Sequence, residues 1–255
     1  MMKLLRTLVI LALFAVIVIS CGKNKGGNSG SLGTNGSMEI SFKNMVGSND
    51  LILGSQYYTN ANGDTFYVNT YNYYISNIEL IKTNDSVVKE VESYHLIKAD
   101  DTSSFNFTLN SIPVANYKAI KFTIGVDSLR NVSGAQTGAL DPVNNMFWSW
   151  STGYIFSKFE GTSPQSPTGN VAFHIAGFSG ANNSLRNVSL NFPLNATVTK
   201  NIIPSIVIKS DIAEWFMNPN LTKFSITYNV TSVGAIASGM ADNYMDMFSV
   251  IQVDN

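Results

Sequence analysis

The chain has 255 residues, with 16 Lys+Arg against 17 Asp+Glu and a formal net charge of −1. Charged residues make up 13%, about half the ~25% usual in soluble proteins, while hydrophobic residues reach 45%. That balance supplies a core and excludes a disordered chain, and without a basic excess no nucleic-acid partner is expected.

At the N-terminus, Lys3 and Arg6 precede an unbroken apolar run from Leu8 to Ile19, closed by Ser20-Cys21. This is the three-part pattern of an export signal, and its ending resembles a bacterial lipobox. Residues 1–20 are expected to be removed, leaving Cys21 as a lipidated N-terminus. The apolar run falls short of the ~20 residues that span a bilayer, so the protein is expected to be anchored to a membrane and not to cross it. Residues 21–37 are rich in Gly, Ser and Asn and carry no aromatic residue. They read as a flexible tether. Cys21 is the only cysteine, which excludes an internal disulfide and any multi-cysteine metal framework.

From Met38 to the end, residues 38–255, the dominant period is two. Phe105, Phe107 and Leu109 alternate with polar residues. So do Ile120 to Val126, Val188 to Leu194 and Phe224 to Val230. Each run predicts a strand with one face on a core. Further strands are expected at 39–42, 94–98, 154–159, 171–178 and 202–209. Tyr57 to Lys82 contains Asn62-Gly63, a favoured hairpin dipeptide. Together these predict a mainly β, single-domain antiparallel β-sandwich. One or two short helices are expected near the C-terminus. The first follows Asp211, with Glu214 at capping-box spacing. The second runs from about Ser232 to Phe248, with Val233, Ile236, Met240, Met247 and Phe248 as an apolar stripe.

Conventional catalytic motifs are missing. The sequence has no Gly-x-Ser-x-Gly elbow, no phosphate-cradling glycine loop and no His-Glu-x-x-His helix. An enzyme is not expected. The more informative stretch runs from Gly125 to Gly161. It contains Gly138-Ala-Leu-Asp141-Pro142, Met146-Phe-Trp148-Ser-Trp150, Gly153-Tyr154 and Lys158-Phe-Glu160-Gly161. With Tyr73-Tyr-Ile-Ser-Asn77, Tyr94-His95-Leu96 and Phe173-His174-Ile-Ala-Gly177-Phe178, these strings resemble the MbnP-like family. Its members are periplasmic copper-binding proteins associated with methanobactin operons and found more widely in bacteria.

The resemblance implies copper binding in the cell envelope, facing the periplasm. It also implies oxidation of a tryptophan to kynurenine by a partner dihaem oxidase of the cytochrome c peroxidase type. Trp148 and Trp150 are the positions that could take that part. Imidazole suits copper and thioether sulfur suits Cu(I), so His95, His174 and Met146 are the candidate ligands. Plainer roles stand beside these. A lone histidine on a strand can be a half-buried residue bonded to a backbone group. The tryptophans and methionines can fill a core, and Asp127 and Asp141 can cap turns. The chain also departs from the family pattern. The segment after Met247-Phe248-Ser249 carries no histidine, where family members often have some.

Two other readings compete. A non-metal binding or adhesion lipoprotein, for carbohydrate or protein, would expose Tyr71, Tyr73 and Tyr74 as an aromatic platform. A purely structural envelope lipoprotein would leave His95 and His174 far apart.

Overall fold

The alternating runs become strands that bury one side chain in two. In the computed structural model, which describes residues 34–134, 136–148 and 153–255, ten longer strands form two sheets. They are β1 (Asn35–Val46), β2 (Thr65–Lys82), β3 (Tyr94–Lys98), β4 (Asn106–Pro113) and β5 (Ala115–Ile124). Then come β6 (Ser157–Thr162), β7 (Asn170–Ile175), β8 (Arg186–Val198), β9 (Ser205–Asp211) and β10 (Phe248–Asp254). The export signal, Cys21 and most of the tether lie outside the described residues. Strand β1 already includes Asn35 to Ser37, the end of the tether-like stretch, through pairing with β4.

The first sheet has the order β10-β9-β1-β4. Its β1–β9 pair is parallel, an exception in an otherwise mainly antiparallel sandwich. The second sheet is organised by β2. One edge of β2 pairs first with β6, from Tyr67 to Tyr73, and then with β5, from Ile75 to Lys82. Its other edge carries β3 and the short strand Val87–Lys89. Beyond β6 lies β7, and beyond β5 lies β8. The sheet therefore forks at Tyr74.

The inner faces meet in one large aromatic core. Phe42 on β1 sits 6.0 Å from Tyr73 and 6.3 Å from Phe122 on the opposite sheet, ring centre to ring centre. Tyr71, Tyr73 and Ile75 of β2 are fully buried. One helix, α1 (Ala235–Tyr244), packs Tyr244 at 4.9 Å from Trp215. Trp215 belongs to a 3-10 turn, Ile212–Phe216, capped by Asp211 through the Ala213 amide. The capping-box signal thus marks a real helical start, although the turn stays short and 3-10. Among the described residues, no helix is long and apolar enough to cross a membrane.

Two expectations need correction. The Phe224–Val230 alternation does not form a strand over its length. Phe224 turns inward against Phe216 at 5.0 Å, the amides of Ile226 and Thr227 both return to the Lys223 carbonyl, and Ile226 is left 75% exposed. Only Asn229–Val230 pairs, in parallel with β7. The helical stripe assigned to Met247 and Phe248 also ends early. The chain extends from Phe248 into β10, which pairs with β9.

Candidate functional site

The segment between β5 and β6 leaves the sheet at the fork and rejoins it there. The Gly125 amide donates to the Tyr74 carbonyl at 3.0 Å, and the Tyr74 amide donates to the Phe156 carbonyl at 2.9 Å. Gly125 has a φ of +114°, a conformation that glycine adopts without strain. Asp127 caps the turn Ser128–Asn131. Asn131 then pins the returning chain, its Nδ2 donating to the Asp127 carbonyl at 3.1 Å and its Oδ1 accepting from the Tyr154 amide at 2.9 Å. The Tyr74 and Tyr154 hydroxyls donate to the carbonyls of Ala139 and Leu140 at 2.9 and 2.7 Å. Burial pushes both phenols above the ordinary tyrosine range, so they remain neutral donors. Asp141 caps the next turn through the Val143 amide at 2.9 Å. Leu140, Met146, Trp148, Ile155 and Phe156 consequently fold onto Tyr74 and Leu96 as a second apolar cluster.

Beside this cluster the outer face of the sheet stays open as a pocket of about 500 Å³. Its floor follows from register. Asn72 on β2 stands opposite Lys98 on β3 and Lys158 on β6, and Lys158 stands opposite His174 on β7. Thr70 and Glu160 occupy the next row on the same face. Asn144, Asn145, Phe147, Trp148 and Ile155 form the wall.

Within the pocket, His174 Nε2 lies 2.7 Å from Glu160 Oε1. Burial lowers the His174 pKa, the Glu160 hydrogen bond opposes that only in part, and the charge of Lys158 lowers it further. For Glu160, burial acts to raise the pKa. The His174 hydrogen bond, the Lys158 charge and a Thr70 hydrogen bond outweigh it and leave the pKa lowered. A neutral imidazole donating from Nε2 to a carboxylate keeps the Nδ1 lone pair, the arrangement by which carboxylates orient metal-binding histidines. An acid and a base are thus paired in a polar pocket. Thr70 is the hydroxyl on the pocket floor, in the row of Glu160.

The two histidines are not brought together. His95 stands opposite Ile75, three residues from Asn72, and so points to the other face of the sheet. Three strand spacings, about 14 Å, also separate the two positions across the sheet. His95 stacks on Phe107 with ring centres 3.6 Å apart and bonds to both oxygens of Glu90, at 2.9 and 3.1 Å. Met146 is fully buried in the second cluster and does not line the pocket. Trp148 lines the pocket and is 2% exposed. Trp150 lies outside the described residues. Met240 and Met247 pack in the main core, while Met245 is exposed. Among the described residues, no three His, Cys, Asp or Glu side chains are grouped to hold a metal. Sequence reasoning missed Asn72, Lys98 and Lys158, which only the register places beside His174.

The separation of the histidines is what the structural-lipoprotein reading anticipated. The adhesion reading loses its platform, because Tyr71, Tyr73 and Tyr74 are all buried.

Comparison with known proteins bears on the same region. The solved structure of MbnP from Methylosinus trichosporium matches with a TM-score of 0.53 and 13% identity, over 79% of this chain and 83% of that one. At that identity the likeness is one of fold. No curated protein sequence matches this chain. A model of the MbnP family matches residues 35–233, from the start of β1 almost to α1 and through the whole pocket. With well over half of its length inside that match, the chain belongs to the MbnP family.

Proposed function

We propose that this protein is a lipid-anchored copper-binding protein of the bacterial cell envelope, acting in copper handling and not in catalysis. The ion is held at His174 in the outer-face pocket. One observation carries this reading: of the two histidines, His174 alone shares a pocket with Trp148, and Glu160 occupies its Nε2. The donors present there fit a site with one imidazole, supported by Glu160. They do not fit a two-histidine site, since His95 faces the other side of the sheet. Trp148, on the pocket wall, is the position for oxidation by a partner oxidase of the dihaem cytochrome c peroxidase type. Membrane attachment through Cys21 follows from the export-signal pattern.

Calorimetric titration of Cu(II) into the wild-type protein, His174→Ala and His95→Ala tests the assignment. Binding is expected in the wild type and in His95→Ala, and lost in His174→Ala. Retention in His174→Ala would reject the site. No binding by any of the three would favour the structural-lipoprotein reading, to which the separation of the histidines already lends support.

A further inference from the structure

The end of the sandwich where the chain enters β1 is closed by three turns. Strand β1 starts at Asn35, opposite Pro113 at the end of β4. The Val114 amide, between β4 and β5, donates to the Thr34 carbonyl at 2.7 Å. Gly36 leaves no room for a side chain against the Thr199 carbonyl, just beyond β8. Thr199 then closes the turn that leads to β9. Its Oγ1 accepts from the Ile202 amide at 2.9 Å, and its amide donates to the Ile202 carbonyl at 3.2 Å. In the second sheet the Thr83 amide donates to the Asn116 carbonyl at 3.0 Å, which brings the turn after β2 to the same end.

These contacts bring Val114, Ile202 and Ile203 close to Thr34, and the three side chains are between 38% and 54% exposed. Lys200 is exposed at the tip of its turn. Of the acids here, Asp85 is matched by Lys118 at 2.5 Å, and Asp254 stands opposite Ser205. Twelve residues, Gly22 to Gly33, separate Cys21 from Thr34. Fully extended, that length spans at most about 45 Å. Strand β2 alone, 18 residues at ~3.3 Å each, runs about 60 Å from this end towards the other. With a lipid on Cys21 inserted, the far end of the sandwich therefore cannot be the face turned to the bilayer. Three apolar side chains bind a membrane only weakly by themselves. The anchor makes their docking an intramolecular step at raised effective concentration.

We propose that this end of the sandwich docks on the surface of the phospholipid bilayer that holds the anchor. Val114, Ile202 and Ile203 enter the boundary between headgroups and acyl chains, and Lys200 meets the lipid phosphates. The proposal rests on the lipid-anchor reading and not on copper being bound. Docking also sets where the pocket stands. Asn72, on the pocket floor, lies ten residues along β2 from Lys82, about 33 Å. The pocket is thus held clear of the headgroups and open to a soluble partner, with the exposed Val143 beside it in water.

The test places a spin label at one new cysteine in the full chain, produced with its export signal in a bacterial host. Ile203→Cys and Val114→Cys probe the docking face, and Val143→Cys probes the pocket. All three positions are exposed, so the label is tolerated. Cys21 is the only native cysteine, and a lipid on its sulfur leaves the new thiol as the one labelled. Intact mass first establishes the lipid. Each protein is then compared in phosphatidylethanolamine–phosphatidylglycerol vesicles and in detergent, by relaxation of the label with oxygen, which concentrates in lipid, and with a water-soluble nickel chelate. In vesicles the ratio of oxygen to nickel accessibility should rise several-fold at 203 and 114 and stay unchanged at 143. A lipidated protein whose labels at 203 and 114 remain as open to nickel as the label at 143 overturns the docking and leaves the anchor intact. A rise at 143 instead would overturn the orientation. An unlipidated Cys21 would overturn the anchor reading and the docking with it.

Discussion

Gly125 is where the pocket-forming segment leaves the sheet, and Gly125→Ala should damage the fold more than an added methyl usually does. Two costs combine. The residue sits at φ +114°, outside the right-handed and extended regions that alanine prefers, and a left-handed L-residue costs ~1–2 kcal/mol. The new Cβ would also lie 2.6 and 2.8 Å from Cγ and Cδ2 of Phe156 and 2.9 Å from Cδ2 of Leu185. Phe156 cannot easily retreat. It is fully buried, its amide is held by the Ile175 carbonyl at 2.7 Å, and its carbonyl is held by the Tyr74 amide. Overpacking of this kind costs ~1–3 kcal/mol. The expected loss is therefore about 2–5 kcal/mol. At an m-value of ~2 kcal/mol/M in urea, the unfolding midpoint should fall by about 1–2.5 M. A loss below about 1 kcal/mol would refute the close approach of Gly125 and Phe156 on which the fork depends.

Asn131→Ala should destabilise by about 2–4 kcal/mol, because it leaves the Tyr154 amide and the Val126 and Asp127 carbonyls without their side-chain partner. Limited proteolysis should then cut more readily between β5 and β6, and an unchanged cleavage pattern would contradict the pinning role. A pH series tests the His174–Glu160 pair. The His174 pKa is lowered in the folded state, so the unfolded chain binds the proton first as pH falls below about 6.5, and stability is lost from there downward. The lowered Glu160 pKa adds a further loss of the same sign below about 4.5. His174→Gln should flatten the stability profile between neutral pH and about pH 5. An equally steep profile in that variant would show that the pair does not contribute.

Much of the sandwich was legible because period-two alternation directly reports a half-buried strand. Residues 94–98 were identified to the residue, and the Asn62-Gly63 hairpin forms between Tyr58–Thr59 and β2. Alternation failed where no partner strand was present. Phe224 to Val230 has the right pattern, but the chain turns at Lys223, and pairing survives only at its end. Met247 and Phe248 looked helical because an apolar pair at a helix end resembles the first residues of a strand. The parallel β1–β9 pairing left no local signal at all. The site was legible in part. His174 and Trp148 could be singled out by residue type, but sequence spacing says nothing about which face of a four-strand register each histidine takes. That parity separates His95 from His174 and brings Lys158, Asn72 and Lys98 into one row. Asn72 carries no sequence signal, since an asparagine in a Tyr- and Asn-rich strand looks like any other.

The central claim is that copper binds through one histidine, His174, on the outer face of the sheet. Pulsed electron paramagnetic resonance of the Cu(II)-loaded protein counts the coordinated imidazoles directly. The account predicts modulation from a single imidazole, unchanged in His95→Ala and abolished in His174→Ala. Two coordinated imidazoles, or a signal that survives His174→Ala, would contradict it.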